Sequence, residues 1–304
     1  MTVLYDAPGP RAKRLSLAIS IIGCVLIGAG LVALVVFLAM PRTNAGGVQT
    51  PGMLDPTRWD IVLDRAMWRA VITRGLVGTL RMAAVAAVLA VAFGILLSIL
   101  RTSRLAVVRV PAIIVIEFFR GMPVLLLMLF ILLVFSSGAY VAGVAALALY
   151  NGAVIGEALR AGVASLPKGQ RESGLALGLT PLRTRFLIEF PQAFRQMLPI
   201  IIAQLVVLLK DTSLAYILGY QELLNVGLQQ GPTTFGSKYL FTLFFVVLVL
   251  YLSVNLLFST LARIVAKRTA GGRRKPSRRT AAVLAQLGGA GVGGGGASVG
   301  GGGP

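Results

Sequence analysis

Several uncharged apolar runs, each long enough to cross a bilayer, leave this chain few ways to fold. Residues 121–156 contain no charged side chain, and residues 15–40 form another uncharged run. About 20 helical residues span a hydrocarbon core roughly 30 Å thick. A soluble protein of 304 residues would not carry so many such runs, so the pattern reads as an all-α, polytopic helical membrane protein. Six spans fit: residues 15–40, ended by Pro41; about 76–100, with Arg81 near its start; about 110–135; 139–159, after a tight Ser136-Ser137-Gly138 turn; about 196–218; and 239–266. Residues 1–14 are basic, but no small-residue cleavage site follows the first apolar run. That run is too long for a signal-peptide core and reads as a retained helix.

Composition then removes several chemistries. There is no histidine and a single cysteine, Cys24, inside the first span. Disulfide frameworks, Cys/His metal sites and histidine acid–base catalysis are excluded, and no metal site is expected. Cys24 reads as a small apolar packing residue. A net charge of +19 would point to nucleic acid in a soluble chain. Here its distribution matters more, and no nucleic-acid partner is expected. With the N-terminus inside, the cytoplasmic side receives twenty Lys and Arg and the outer side six, a strong positive-inside bias. Both termini and the long loop between the fourth and fifth spans are then cytoplasmic, in a plasma membrane.

The chain divides into residues 1–41 (basic segment and first helix), 42–74 (outer linker), 75–264 (transmembrane domain) and 265–304 (basic, then Gly-rich, tail). In the linker, Trp59, Ile61, Val62, Met67 and Trp68 suggest an amphipathic helix at the interface. The tail cannot bury enough apolar surface to fold. Its cluster Arg273, Arg274, Lys275, Arg278 and Arg279 reads either as a topology signal or as a site for anionic lipid.

The long loop carries the functional signal. Glu172 to Leu177 is helix-compatible, Gly178 can take the left-handed conformation that ends a helix, and Pro181 stops its continuation. Pro167 and Gly169 break the chain on the other side. A short helix between two spans is a lever: a soluble partner that moves it moves both neighbours.

The spacing Glu172-Ser173-Gly174, three residues, Gly178, nine residues, Ile188-Glu189-Phe190-Pro191 resembles the Glu-Ala-Ala signature of permease subunits of ATP-binding-cassette importers. Ser173, Gly174 and Phe190 depart from its Ala, Ala and Leu. Leu166-Pro-Lys-Gly169-Gln170 resembles the Gly-Gln that precedes the signature. Glu117-Phe-Phe-Arg120-Gly121-Met-Pro123 and Leu209-Lys210-Asp211-Thr212-Ser213-Leu214 are similar to elements of the polar amino acid uptake permeases, and the resemblance extends to those of actinobacterial glutamate importers. It implies the type I importer transmembrane fold: a five-helix core, here with an additional N-terminal helix. It also implies an assembly of this permease with a second one, ATP-binding subunits on the cytoplasmic loops, and an extracytoplasmic solute-binding protein. Gly169, Gln170, Glu172, Gly178, Ile188 and Pro191 would form the coupling loop. The chain has no Gly-x-x-x-x-Gly-Lys-(Ser/Thr) loop, so no cofactor is expected and ATP would be bound by the partner subunits. The chain reads as a transport subunit rather than an enzyme.

Charges inside the spans remain open to two readings. Lys210, Asp211, Thr212 and Ser213 either line the translocation path, with Lys210 meeting a substrate carboxylate, or serve a helix break. Adjacent Lys210 and Asp211 face different sides of a helix and should have separate partners. Glu117 and Arg120 form a local ion pair or touch substrate, and Glu157 and Arg160 pair as the fourth span leaves the membrane. Residues 221–230 lie in the last outer connection, where a binding protein would dock. A self-contained secondary transporter is the alternative, but no internal repeat supports it.

Overall fold

A helix that is apolar on every side needs no protein neighbour in lipid. The computed structural model, which describes residues 9–43, 47 and 49–270, contains such a helix in α1 (Pro10–Ala39): none of its residues is buried. Met40 is extended, as a residue before proline tends to be, and the helix stops there. A two-residue antiparallel pair follows, β1 (Arg42–Thr43) with β2 (Gln49–Thr50).

The second span is longer than the sequence indicated. Helix α2 runs unbroken over Arg65–Arg101, through one π-helical segment at Val71–Leu76. The segment expected to float at the interface is instead packed. Ile61, Met67 and Val71 are buried against Val226, Leu243 and Val246, and the Trp59 ring lies 6.3 and 6.0 Å from those of Phe241 and Phe245. One apolar face looks the same in sequence whether lipid or a helix covers it.

The third expected span is bent. Helices α3 (Ala106–Gly121) and α4 (Val124–Val134) meet at 106°. Pro123 is the N-cap of α4 in extended geometry and contributes no N–H, so the Gly121-Met122-Pro123 step cannot continue the helix. At 1.5 Å per residue the limbs measure roughly 24 and 16 Å, and neither crosses the core alone. Ser136, at φ 47°, turns the chain into α5 (Ala139–Ala164).

The remaining elements are α6 (Lys168–Ala176), α7 (Pro181–Tyr216) and α8 (Leu240–Ala270). Between α7 and α8 lie the short helical segments Asn225–Gln230 and Gly231–Phe235. Among the described residues five helices are long and apolar enough to span, six if the bent pair counts as one span.

Helices α2 and α5 form the spine. A Cβ on Gly94 would fall 2.8 Å from the Gly152 carbonyl oxygen. One on Gly152 would fall 3.0 Å from the Ala90 carbonyl, and one on Gly156 3.0 Å from the Gly94 carbonyl. In lipid no hydrophobic force drives helices together, so close backbone approach through small residues supplies the attraction. Met82, Ala86 and Ala90 of α2 and Ala142, Ala146 and Leu147 of α5 continue the seam, closed by Met128 of α4 and Leu208 of α7. The basic cluster at Arg273–Arg279 and the Gly-rich tail lie outside the described residues.

Candidate functional site

One end of the molecule, the basic end, carries Arg101, Arg160, Arg171 and Arg185, and here the predicted short helix forms. Pro167 is the extended N-cap of α6, so the chain breaks there; Gly169 lies inside the helix rather than ending it. The C-terminus closes as a Schellman motif. The Leu179 N–H donates to the Gly174 carbonyl at 3.2 Å, and the Gly178 N–H to that of Leu175 at 3.0 Å. Gly178 adopts φ 78°, the conformation only glycine takes freely. Thr180 then caps the next helix, with Pro181 in its first turn.

Helix α6 is seated on the start of α7 through Gly174, its sole buried residue. A Cβ there would lie 2.9 Å from Ile188 Cδ1 and closer still to Thr184 Cγ2. Thr184 is fully buried and donates its hydroxyl to the Thr180 carbonyl at 3.1 Å, so it has little freedom to yield. Gln192 Nε2 fastens a second point, donating to Gln170 Oε1 at 3.0 Å and to the Ile188 carbonyl at 2.9 Å. The structure thus brings Gln170, Gly174 and Ile188 together. Pro191 sits in the first turn of the helical segment Phe190–Asp211; lacking an N–H, it interrupts the ladder next to the π-helical turn Arg185–Glu189. Gly169, Glu172 and Gly178 face outward. So do Leu175 and Leu177, the latter 79% exposed at the helix tip. Gly174→Val is expected to unseat α6 at a cost of about 1–3 kcal/mol, read as faster proteolysis of this loop with α2 and α5 still folded.

Ion pairs connect this region to the spans. The expected pairs form: Arg160 Nη2 meets Glu157 Oε1 at 2.7 Å, and Arg120 Nη1 lies 3.6 Å from Glu117 Oε2. Arg101, at the end of α2, joins them: its Nη1 lies 3.1 Å from Glu117 Oε1 and 3.0 Å from Glu157 Oε2. Three helices are therefore tied at one guanidinium. Arg185 Nη1 donates to the Thr102 carbonyl, fastening the start of α7 to the same end.

The candidate path residues lie where α7 changes pitch. The α-helix ends at Asp211 and tightens into a 3₁₀ turn over Thr212–Tyr216. Thr212 is buried and donates to the Leu209 carbonyl at 2.7 Å. Lys210 and Ser213 line a cavity of about 200 Å³ with Leu224, Phe244, Leu248 and Tyr251. Asp211 is not among that lining, and neither charge forms an ion pair among the described residues. Glu117, Arg120, Gly121 and Pro123 belong to the bend and the basic end, away from this cavity.

Residues 90–271, more than half of the chain, match the family model described as the binding-protein-dependent transport system inner membrane component. The chain belongs to this family. The match takes in α3 to α8 and every residue of the candidate coupling loop and the candidate path. Over 232 residues the chain is 38% identical to the glutamate transport system permease protein GluD of Corynebacterium glutamicum, covering 74% of this chain and 84% of that one. It is 33% identical to the probable glutamine ABC transporter permease protein GlnP of Bacillus subtilis, covering 62% and 89% respectively. Among solved structures, an amino acid ABC transporter crystallised with histidines superposes with a TM-score of 0.59 at 25% identity, covering 66% of this chain and 94% of that one. The MetNI methionine ABC transporter in an inward-facing form superposes at 0.53, which at 18% identity shows the fold alone. The fold is that of ABC importer permeases.

Three polar contacts in this permease fold were not anticipated. Gln204 on α7 donates to the buried Asn151 of α5 at 2.8 Å, six residues before Lys210. In the connection expected to be a docking surface, Glu222, Leu223, Asn225, Val226 and Gly227 are buried and only parts, such as Gln221 and Gln229, are exposed. Glu222 Oε1 accepts the Asn225 N–H at 2.6 Å, in the manner of a helix cap, and Oε2 accepts the Tyr251 hydroxyl at 3.2 Å. Burial pushes the Glu222 carboxyl up to about 7, against the lowering effect of the backbone N–H groups and Tyr251. Gly78 makes the burial possible by packing directly on the Gln221 carbonyl.

Proposed function

We propose that this chain is a permease subunit of an ATP-driven importer of a polar amino acid, with glutamate the favoured substrate. The observation that carries the reading is α6: a short helix bolted to a span at Gly174, with the apolar tip Leu177 left uncovered. Leu175 and Leu177, both exposed on this otherwise polar projection, give a soluble subunit an apolar contact. ATP-binding subunits dock there, and their closure tilts α7 through the Gly174 seat and the other spans through Arg185 and Arg101. The basic end is cytoplasmic by the positive-inside bias, with both termini on that side of the plasma membrane. A second permease completes the path, a solute-binding protein delivers substrate at the far end, and the chemistry of ATP resides in the partner subunits.

Glutamate is favoured by the named relatives, which include a glutamate/aspartate import permease of Escherichia coli at 32% identity. It is favoured also by Lys210, a cation that lines a cavity and forms no ion pair among the described residues. Lys210→Met is expected to reduce glutamate uptake by at least tenfold while the complex assembles; unchanged uptake removes Lys210 from the path. The whole reading is tested in proteoliposomes holding both permeases and the ATP-binding subunit, with binding protein and labelled glutamate in the lumen or bath. Uptake should require ATP and binding protein. Uptake by this chain alone, driven by an ion gradient, would make it a secondary transporter instead.

A further inference from the structure

A cleft of about 550 Å³ opens at the basic end, between the end of α2, the start of α3 and the start of α7. Four guanidinium-bearing residues line it, Arg104, Arg109, Arg171 and Arg185, against one carboxylate, Glu189. The charge is not neutralised from within. Arg185 lies 3.8 Å from Glu189. Arg104, Arg109 and Arg171 form no ion pair among the described residues. The neighbouring Arg101 and Arg160, by contrast, are saturated by Glu117 and Glu157. Several cations held around one hollow repel one another unless an anion enters.

Besides these charges and the hydroxyls of Thr102, Ser103 and Thr180, the cleft has an apolar side. Ile99, Leu100, Val108 and Leu182 form its wall. Beside it Leu105 is 67% exposed and Val107 87% exposed. The cleft sits where α2 ends and α3 begins, at the membrane boundary on the side taken above as cytoplasmic. An anionic head with an apolar tail matches both surfaces at once, whereas an acidic protein loop would leave Leu105 and Val107 uncovered. Basic pockets between membrane helices on the cytoplasmic side are the usual setting for phospholipid headgroups.

We propose that this cleft holds the phosphate headgroup of an anionic phospholipid of the inner leaflet, bound by Arg104, Arg109 and Arg171, with its acyl chains along the apolar start of α3. The lipid wedges between α3 and the α6–α7 unit and braces the lever against the membrane surface. The lipid site takes from the proposed function only the orientation of the basic end, its bracing role takes also the reading of α6 as a lever, and both hold whatever the substrate.

The test is native mass spectrometry of the assembled permease complex released from nanodiscs of phosphatidylcholine and phosphatidylglycerol in a 7:3 ratio. The wild type should retain phosphatidylglycerol in preference to phosphatidylcholine. The double variant R104Q/R109Q should retain roughly tenfold less or lower, given the contribution of each surface arginine, and R104K/R109K should restore retention. Equal retention by wild type and R104Q/R109Q would overturn the proposal. So would displacement of the lipid by equimolar glycerol 3-phosphate, which would make the cleft a site for a soluble phosphate. Loss of the lipid whenever the ATP-binding subunit is bound would assign the cleft to that protein and also overturn it. Because uptake is not the readout, failure here is separable from failure of the transport reading.

Discussion

Replacing Gly152 by valine is expected to separate α2 from α5 and to lower the thermal midpoint of the purified permease by about 5 °C. The valine Cβ would lie 2.8 Å from Phe93 Cδ1 and 3.0 Å from the Ala90 carbonyl, and the facing Gly94 is so close that a Cβ on it would fall 2.8 Å from the Gly152 carbonyl. A ring can rotate away, but a backbone carbonyl within a helix cannot. The helices must therefore move apart, and every contact along the seam from Met82 to Leu97 loosens with them. Overpacking of this kind costs about 3 kcal/mol or more, which for a chain of this size corresponds to the midpoint shift given. Retained midpoint and retained monodispersity in detergent would show that the two helices are not held by this crossing. Gly23→Val in α1, where nothing lies within 4 Å of the added Cβ, is the matched control and should change neither.

The second large effect concerns pH. Glu222 is fully buried, and its carboxyl titrates near 7 rather than at its ordinary 4.5. Between those values the folded protein holds a proton that the unfolded chain releases, so the contribution of Glu222 to stability is greatest below about 4.5 and is lost as pH rises through about 7. Above pH 8 the buried carboxylate is charged, and the gap corresponds to a loss of roughly 3 kcal/mol. Glu222→Gln keeps an oxygen to accept the Asn225 N–H and removes the titration. The expected result is a wild type whose midpoint drops from pH 5 to pH 8 relative to the glutamine variant, with the variant the more stable of the two at pH 8. A wild-type profile parallel to the variant across that range would show that Glu222 does not titrate there.

Much of the fold was legible because membrane spans announce themselves over long windows. Residues 15–40, 139–159 and 239–266 became helices α1, α5 and α8 with ends moved by a few residues. The helix α6 was legible for a more local reason: Pro167, Gly178 and Pro181 are stop and start signals whose geometry does not depend on distant contacts. The bend at Pro123 was not, since residues 110–135 are nearly all apolar and an apolar run reads the same whether straight or folded by 106°. Glu222 escaped because a charge between two spans looks like solvent-facing loop. Its burial is created by Gly75, Gly78 and Thr79, more than 140 positions earlier; the Thr79 hydroxyl accepts the Leu223 N–H at 3.1 Å. Arg101 lies just past the apolar run at about 76–100, but that it joins Glu117 to Glu157 follows only from three helices meeting.

The candidate site divides in the same way. Gln170, Gly174 and Ile188 converge because the signals are local and the spacing places them on facing turns. For Lys210 through Ser213 the sequence marked the position, while the change of pitch at Asp211 and the cavity shared with Tyr251 required α8 to be in place.

The central claim is that α6 receives force from a nucleotide-hydrolysing neighbour, and site-directed crosslinking measures it most directly. With Cys24, exposed on α1, replaced by serine, a single cysteine at Leu177 would be treated with a short bifunctional reagent in the assembled complex, with and without ATP. The expected product joins this chain to the ATP-binding subunit, in a yield that changes with nucleotide. Absence of that product, or labelling of the same cysteine by a membrane-impermeant reagent added outside intact cells, would contradict the account.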